Sequence, residues 1–339
     1  MSTLARPPAS NFILALPKAE LHLHLEGSIE PSTLVELKRR HGTSATLAEI
    51  DELYTYQDFT GFLMAFKRVT EDLRTPEDYE LVTHRLMERL KSQNVLHAEV
   101  YVSVGVCLYR GQDFAAIFDA LERGRQRGER DFGISLLWIF DAVRHFGVES
   151  AQAVVELAAQ YRDRHVVGFG IGGDERRAAA EAFRDVYAYA AAHGLRLTAH
   201  AGETSGPGSI WGALNLKVER LGHALTAWHD PELVEELSRR QVPIEVSITS
   251  NLKTGCCPVI AEHPVKNYFD HGIMITLNTD DPAMFKTSLS EEYQLAQDKF
   301  GFTDEHLREI ARNSFEASFL PVDRKLELLN SFDAAVYRS

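Results

Sequence analysis

The stretch Glu20-Leu21-His22-Leu23-His24-Leu25-Glu26-Gly27 alternates leucine with polar side chains. Such alternation is typical of a β-strand, because successive side chains of a strand point to opposite faces. The two histidines are two positions apart and therefore share one face, while the three leucines share the other. The stretch predicts a buried strand whose carboxyl end can present two imidazoles to one cation.

Similar apolar runs recur along the chain and alternate with segments of helical periodicity, such as 113–127 and 148–162. Strands that alternate with helices predict an α/β fold of the (β/α)₈ TIM barrel type, in which the strand ends form one mouth. No linker or repeat divides the sequence, so we expect 1–339 to form one domain. The predicted strands are 19–25, 96–104, 135–143, 166–170, 195–200, 220–224, 244–248 and 274–278.

The segment from about 30 to 78 is too long for a simple connection between a strand and a helix. Its apolar residues Phe59, Phe62, Leu63 and Phe66 have the spacing of one helix face. Such a helix either packs on the barrel or covers its mouth, and a lid must do both. We therefore expect a helical lid insertion after the first strand.

The charge and cysteine content restrict the partners and the compartment. Lysine and arginine number 36 against 49 aspartates and glutamates, a net charge of −13, which disfavours nucleic acids and anionic membranes as partners. Three cysteines, two of them adjacent, cannot form a disulfide framework and favour a reducing, cytoplasmic setting. Residues 1–12 lack the pattern of a signal peptide, and no stretch is long enough for a transmembrane helix.

Three further predicted strands end in groups that bind metals or move protons. His200 ends one strand and Glu203 follows three residues later, His223 lies in the next strand, and Asp280-Asp281 follows the last. Each has a structural alternative: a lone buried histidine is often part of a core, and aspartate before proline often forms a turn or a helix cap. In a barrel, however, these ends surround one mouth, where catalytic groups collect. Three imidazoles and a carboxylate suit Zn²⁺ with an open position for water.

Taken together, the motifs identify the chain as similar to the adenosine deaminase family of the amidohydrolase superfamily. They occur in the same order and span nearly the whole sequence. They are Leu16-Pro17-Lys18-Ala19-Glu20-Leu21-His22-Leu23-His24, Gly173-Asp174-Glu175, His200-Ala201-Gly202-Glu203, Arg220-Leu221-Gly222-His223, Ser250-Asn251 and Asn278-Thr279-Asp280-Asp281-Pro282.

The resemblance implies a catalytic centre with one divalent cation, Zn²⁺ or another first-row transition metal. Its implied ligands are His22, His24, His200 and Asp280, of which Asp280 also counts as catalytic. Glu203 would protonate the purine N1 and pass a proton to the departing ammonia. His223 would orient or deprotonate the water and stabilise the developing oxyanion.

The same resemblance implies contacts to the purine. The Gly173 backbone would meet N3 and Asp281 would hydrogen-bond N7, while the four apolar residues of 59–66 would cover the nucleoside. Two positions depart from the family pattern. Glu26 stands where aspartate usually meets the ribose 5′-hydroxyl, and Gly170-Ile171-Gly172-Gly173 replaces Asp-Leu-Ala-Gly.

The implied reaction is hydrolytic deamination of a small-molecule 6-aminopurine nucleoside by a metal-activated water, giving the 6-oxopurine and ammonia. The substrate would be adenosine or a 5′-modified adenosine such as 6-aminodeoxyfutalosine or methylthioadenosine, and adenine is the alternative. More remote alternatives are another amidohydrolase and a non-catalytic purine-binding relative. The missing lysine at the fourth strand argues against a bridged two-metal site, and the paired acid and base argue against pure binding.

A second histidine pattern needs a separate interpretation. His97-Ala98-Glu99 matches half of the zinc signature of cytidine deaminases, but Cys256-Cys257-Pro258 has neither the order nor the spacing of the other half. His97 and Glu99 fall inside a predicted apolar strand. We interpret this pair as structural, with a supporting role near the barrel mouth.

Overall fold

The computed structural model describes residues 8–337. Residues 1–7, on which part of the signal-peptide expectation depends, lie outside this range. Eight parallel strands form one sheet in sequential order. They are β1 (Lys18–His24), β2 (Val95–Val102), β3 (Ser135–Val143), β4 (Val166–Gly172), β5 (Arg196–Ala201), β6 (Arg220–His223), β7 (Ile244–Val246) and β8 (Ile275–Leu277).

Helices surround this sheet and connect its strands. Within residues 8–337, no helix is both long and apolar enough to cross a bilayer. The helices are α1 (Asn11–Ala15), α2 (Pro31–Arg40), α3 (Leu47–Leu53), α4 (Phe59–Thr70), α5 (Pro76–Lys91), α6 (Val104–Tyr109), α7 (Phe114–Phe132), α8 (Gly147–Gln160), α9 (Arg184–Ala192), α10 (Pro207–Asn215), α11 (Pro231–Arg240), α12 (Ile248–Lys253), α13 (Val265–Asp270), α14 (Pro282–Phe285), α15 (Leu289–Phe300), α16 (Asp304–Glu316) and α17 (Val322–Tyr337).

The last strand closes the barrel against the first. The backbone N–H of Asp280 donates to the His22 carbonyl at 3.0 Å, and the N–H of His24 donates to the Asp280 carbonyl at 2.8 Å. Below them, Asn278 Oδ1 accepts from the backbone N–H groups of Leu21 (2.9 Å) and His22 (3.1 Å). The closure brings the carboxyl ends of β1 and β8 together, and with them the polar groups that follow β8.

The predicted (β/α)₈ barrel is confirmed. Strand β3 has the predicted bounds, and β4 continues two residues beyond its prediction. Strands β7 and β8 are only three residues long, shorter than predicted, because α12 begins at Ile248 and an asparagine-centred closure replaces the ladder after Leu277. The segment 30–78 forms α2, α3, α4 and the first turn of α5.

A chain of buried charges fills the barrel beneath its mouth. His97 Nε2 lies 3.3 Å from Glu99, whose other oxygen lies 2.5 Å from the guanidinium of Arg220. Arg220 also pairs with Glu245 at 2.6 Å, and Glu245 in turn lies 2.7 Å from His22 Nδ1. All these side chains are at most 1% exposed. His97 and Glu99 thus belong to an internal ion-pair chain that ends at the predicted metal ligand His22.

Replacement of Arg220 by Leu is expected to lower the free energy of unfolding by about 3–5 kcal/mol, because it leaves two buried carboxylates without a counter-ion. Chemical denaturation measures this loss. The matched control is Arg239→Leu, since Arg239 is 70% exposed in its pair with Glu236 and should contribute about 1 kcal/mol or less. Equally small changes in the free energy of unfolding for both substitutions would contradict the proposed contribution of the buried ion pairs to stability.

Candidate active site

Four side chains at the carboxyl ends of β1, β5 and β8 converge on one point. The Nε2 atoms of His24 and His200 are 3.2 Å apart. Asp280 Oδ1 lies 3.4 Å from His22 Nε2 and 3.3 Å from His24 Nε2. Ligand atoms about 2.0–2.2 Å from a zinc ion lie about 3.3–3.6 Å apart at tetrahedral angles. The three distances of 3.2–3.4 Å among the four predicted ligands therefore match those of a small cation's coordination shell.

Neighbouring groups leave the Nε2 atoms of these imidazoles available for a metal. Glu245 Oε2 holds His22 Nδ1 at 2.7 Å, so His22 Nε2 is buried and has no hydrogen-bond partner within residues 8–337. His200 Nδ1 faces the Ile171 carbonyl at 3.1 Å. Carboxylates and carbonyls on the second ring nitrogen are the usual supports of metal-binding histidines. The donor set therefore fits a divalent cation of the zinc type.

Asp280 is positioned by backbone strain and by two side chains. Its φ is +64°, a left-handed conformation that costs a non-glycine residue free energy and is typical of functional sites. Ser250 Oγ donates to Asp280 Oδ2 at 2.7 Å. Glu20 accepts from the N–H and the hydroxyl of Thr279 and so fixes the preceding residue. These contacts aim the Asp280 carboxylate at the imidazoles.

His223 is held in one tautomer by a relay of hydrogen bonds. The N–H of Val265 donates to His263 Nδ1, so His263 Nε2 carries the proton that it donates to Asn251 Oδ1 at 3.1 Å. The Asn251 amide nitrogen can only donate, and it donates to His223 Nδ1 at 3.2 Å. The proton of neutral His223 is therefore on Nε2, which lies 3.7 Å from Glu203 and 3.9 Å from Asp280.

Glu203 lies on the loop after β5, which another carboxylate holds in place. Glu175 accepts hydrogen bonds from the backbone N–H groups of Gly202 (2.7 Å), Glu203 (2.7 Å) and Thr204 (2.9 Å). Burial, followed by the charges of Asp280 and Glu175, raises the pKa of Glu203 well above its usual value. Glu203 is consequently a preorganised carboxylic acid beside the cation site.

A cavity of about 540 Å³ opens above this centre. Helix α4 forms part of its wall with all four apolar residues predicted to cover the substrate. Burial and the neighbouring Asp280 raise the pKa of Asp281, which lines the same cavity. The predicted site residues in the cavity wall are His24, Phe59, Phe62, Leu63, Phe66, Gly173, His200, Glu203, His223, Asp280 and Asp281.

Glu26 lies behind the wall. Its Oε1 accepts from the backbone N–H of Ser103 at 2.9 Å, and Ser103 is the residue that lines the cavity at this point. Its second oxygen is buried with no hydrogen-bond partner in the described part of the chain, and burial raises the pKa of Glu26 to about 7. A direct contact between Glu26 and the substrate stays a prediction.

Sequence reasoning missed two carboxyl groups of the site. Asp141, at the end of β3, lines the cavity, and burial raises its pKa to about 8. Glu245, in the middle of β7, supports His22. Each is the single acidic residue of a largely apolar strand, and this pattern is the only sign in the sequence that either residue belongs to the site. It does not distinguish a ligand support from a charge that is paired elsewhere.

An eight-stranded barrel that assembles imidazoles, a carboxylate and a buried acid at its carboxyl end defines a metal-dependent hydrolase. The family model described as adenosine deaminase matches residues 17–335. The chain therefore belongs to the adenosine deaminase family, and it is a hydrolytic deaminase.

Two individual relatives and one solved structure show what the chain is similar to within this family. An aminodeoxyfutalosine deaminase from Streptomyces avermitilis is 38% identical, over 95% of this chain and 92% of the relative. An adenine deaminase from Streptomyces coelicolor is 37% identical, over 96% of this chain and 97% of the relative. Among solved structures, an amidohydrolase from Burkholderia ambifaria with bound Zn has a TM-score of 0.88 and 30% identity, over 98% of this chain and 96% of the other.

Proposed function

We propose that the protein hydrolyses the 6-amino group of a purine nucleoside, with a 5′-modified adenosine as the preferred substrate. Water and the nucleoside give the 6-oxopurine and ammonia. The observation that carries this proposal is the position of the acid Glu203 and the N–H of His223 beside one cation site, inside a cavity of nucleoside size.

The cation would be held by His22, His24, His200 and Asp280. Three of the distances among their ligand atoms are 3.2–3.4 Å and support this set. His223 clusters with His22, His200 and Asp280 but approaches Asp280 only to 3.9 Å. Zinc is our choice of metal because of the imidazole-rich donor set, and the related amidohydrolase binds it. When bound, such a cation supplies a nucleophilic water at neutral pH.

The protein's own acid and donor then carry the proton transfers. Glu203 gives its proton to N1 as oxygen adds to C6, which neutralises the charge that the purine ring acquires. His223 donates its Nε2–H to the incoming oxygen. The Glu203 carboxylate next takes one proton of the water and delivers it to the amino group, which leaves as ammonia. The remaining hydroxyl proton passes to Glu203, which leaves the 6-oxo group and restores the acid. Both contacts strengthen as charge develops, so they favour the transition state over the bound substrate.

Two further residues would fix the orientation of the ring. Gly173, which directly follows β4 and has a φ of +85°, would offer its backbone N–H to N3. Asp281 has a buried oxygen without a hydrogen-bond partner within residues 8–337, and its raised pKa makes it a donor suited to N7. With Glu203 at N1, the three nitrogens would be bound from three strand ends. This arrangement places C6 against the cation site.

The cavity extends beyond what a bare base would fill. Its mouth carries Tyr109, which is 76% exposed and stacks on Phe146 at 4.9 Å. Three cationic side chains also line the cavity, those of Lys67, Arg110 and Arg177. These groups suit a substituent attached to the sugar, and they support a 5′-modified nucleoside. Helix α4 would act as the lid above it.

Deamination of free adenine is the second candidate, favoured by the adenine deaminase from Streptomyces coelicolor. Ammonia release from adenine, adenosine, methylthioadenosine and 6-aminodeoxyfutalosine decides between the two. We expect the nucleosides to exceed adenine in kcat/KM, with a 5′-modified nucleoside at least as good as adenosine. A kcat/KM highest for adenine would refute the nucleoside proposal, and no ammonia from any of them would refute purine deamination.

Replacement of Glu26 by Asp should shift preference towards plain adenosine. The shorter side chain withdraws its oxygen from Ser103, which forms the wall at this point. We expect the kcat/KM ratio of the 5′-modified nucleoside to adenosine to fall about tenfold, within the usual range for a reshaped pocket. The matched control is Glu88→Asp on the exposed face of α5. An unchanged ratio would remove Glu26 from substrate selection.

A further inference from the structure

Asp141 is a buried carboxyl group that the catalytic scheme leaves without a role. It lies near the carboxyl end of β3, is 4% exposed and lines the cavity. Its Oδ1 is buried and has no hydrogen-bond partner within residues 8–337. Leaving such an atom unpaired costs about 1–3 kcal/mol, so native proteins rarely retain one without a use.

The neighbouring strand is shaped around this carboxyl group. Asp141 pairs with Gly170 of β4 in the sheet register. A Cβ atom on Gly170 would lie 3.1 Å from Asp141 Oδ1, and one on Gly172 would lie 2.8 Å from Oδ2. Two glycines on the inner face of β4 thus provide the space that the carboxyl group occupies.

The position of Asp141 sets it apart from the proposed cation ligands. The clusters of mutually close ligand atoms found within residues 8–337 consist of His22, His200, His223 and Asp280, and of His24, Asp280 and Asp281. Asp141 belongs to neither. Its Oδ2 lies beside the Cβ position of Gly172, and Gly172 and Asp141 both line the cavity, where a bound molecule can hydrogen-bond the carboxyl group.

The order of the strands indicates which part of the substrate it meets. In the proposed function N1 is bound after β5, N3 at the end of β4 and N7 after β8. The purine perimeter runs from N1 through N3 to the sugar-bearing N9, and then through C8 to N7. A residue on β3, the next strand after β4 in this direction, therefore faces the sugar side of N3.

We propose that Asp141 hydrogen-bonds a hydroxyl group of the nucleoside's sugar and so helps to select a nucleoside over a free base. The inference rests on the proposed function and names the partner of this one carboxyl group. A hydroxyl group both donates and accepts, so it can satisfy the carboxyl group in either protonation state.

The test compares Asp141→Ala with the unsubstituted protein on four substrates. These are the best ribonucleoside of the panel, its 2′-deoxy and 3′-deoxy forms, and adenine. We expect kcat/KM for the ribonucleoside to fall about 10- to 100-fold. The loss should shrink to about threefold or less for one deoxy form and for adenine, because the contact is already absent there. Equal losses on all four substrates, or no loss on the ribonucleoside, would overturn the proposal.

A second measurement separates this role from a structural one. Asp141→Asn keeps the shape and the hydrogen-bonding capacity, and should recover most of the ribonucleoside activity. Without ligand, both variants should melt at or above the temperature of the unsubstituted protein, since no hydrogen bond of Oδ1 is lost. A melting temperature lower by several degrees in both variants would make Asp141 a structural residue. Failure of the unsubstituted protein on every nucleoside would instead refute the proposed function.

Discussion

Replacement of Glu203 by Gln is expected to lower kcat by about 10²–10⁴-fold, the usual contribution of a general acid or base. The amide has nearly the same shape but cannot release a proton to N1 or take one from water. Burial raises the pKa of Glu203 well above its usual value, which favours the protonated form that can donate to N1. Ammonia release under saturating substrate measures the loss.

The same variant should retain its metal and its affinity for purine nucleosides, because Glu203 is not among the proposed ligands. Metal analysis and equilibrium binding provide these controls. Glu156→Gln, on the exposed face of α8, is the matched substitution and should keep its full rate. If Glu203→Gln kept most of its kcat, another group would have to protonate N1 and the proposed proton path would be wrong.

Replacement of Asp280 by Asn should abolish tight metal binding and lower turnover at ambient metal by about 10³-fold or more. Asp280 is the only anion among the four proposed ligands, and its Oδ1 lies within 3.4 Å of two imidazoles. An amide removes the charge that offsets the cation's charge in a buried site. Metal content after dialysis and the rate of ammonia release measure both effects.

The adjacent carboxyl group offers the matched control. Asp281→Asn should keep one cation per chain and lose substrate affinity, because Asp281 is proposed to bind the ring and not the metal. Metal loss in Asp280→Asn with metal retention in Asp281→Asn would divide the two roles. Retention of tightly bound metal and native turnover in Asp280→Asn would remove Asp280 from the coordination shell.

The barrel could be predicted because its strands carry local signals. Strand β3 is apolar except for Ser135 and Asp141, and its predicted bounds agree with the structure. Helix α4 was expected from the spacing of Phe59, Phe62, Leu63 and Phe66, and these residues line the cavity as a group. Strands β7 and β8 were predicted too long, because α12 begins at Ile248 just after β7 and because the end of β8 depends on Asn278, whose side chain contacts β1.

Part of the site could also be predicted from local sequence signals. His22 and His24 share a strand face, so two-residue alternation already places them together. Glu245 and Asp141 depend instead on the register between strands, which apolar patterning does not fix. Glu26 was expected to face the substrate; its carboxylate accepts from the N–H of Ser103, which lines the cavity, and its contact with the substrate stays a prediction. Local periodicity therefore predicts which residues lie at the barrel mouth, but it does not predict how far each side chain lies from the cavity.

Metal titration of the metal-free protein, followed by ammonia release from a purine nucleoside, tests the central claim most directly. We expect no release before metal is added, a rise proportional to added Zn²⁺, and saturation at one equivalent per chain. Full activity without metal, saturation only at two equivalents, or no ammonia at any metal content would contradict a deaminase with one cation at His22, His24, His200 and Asp280.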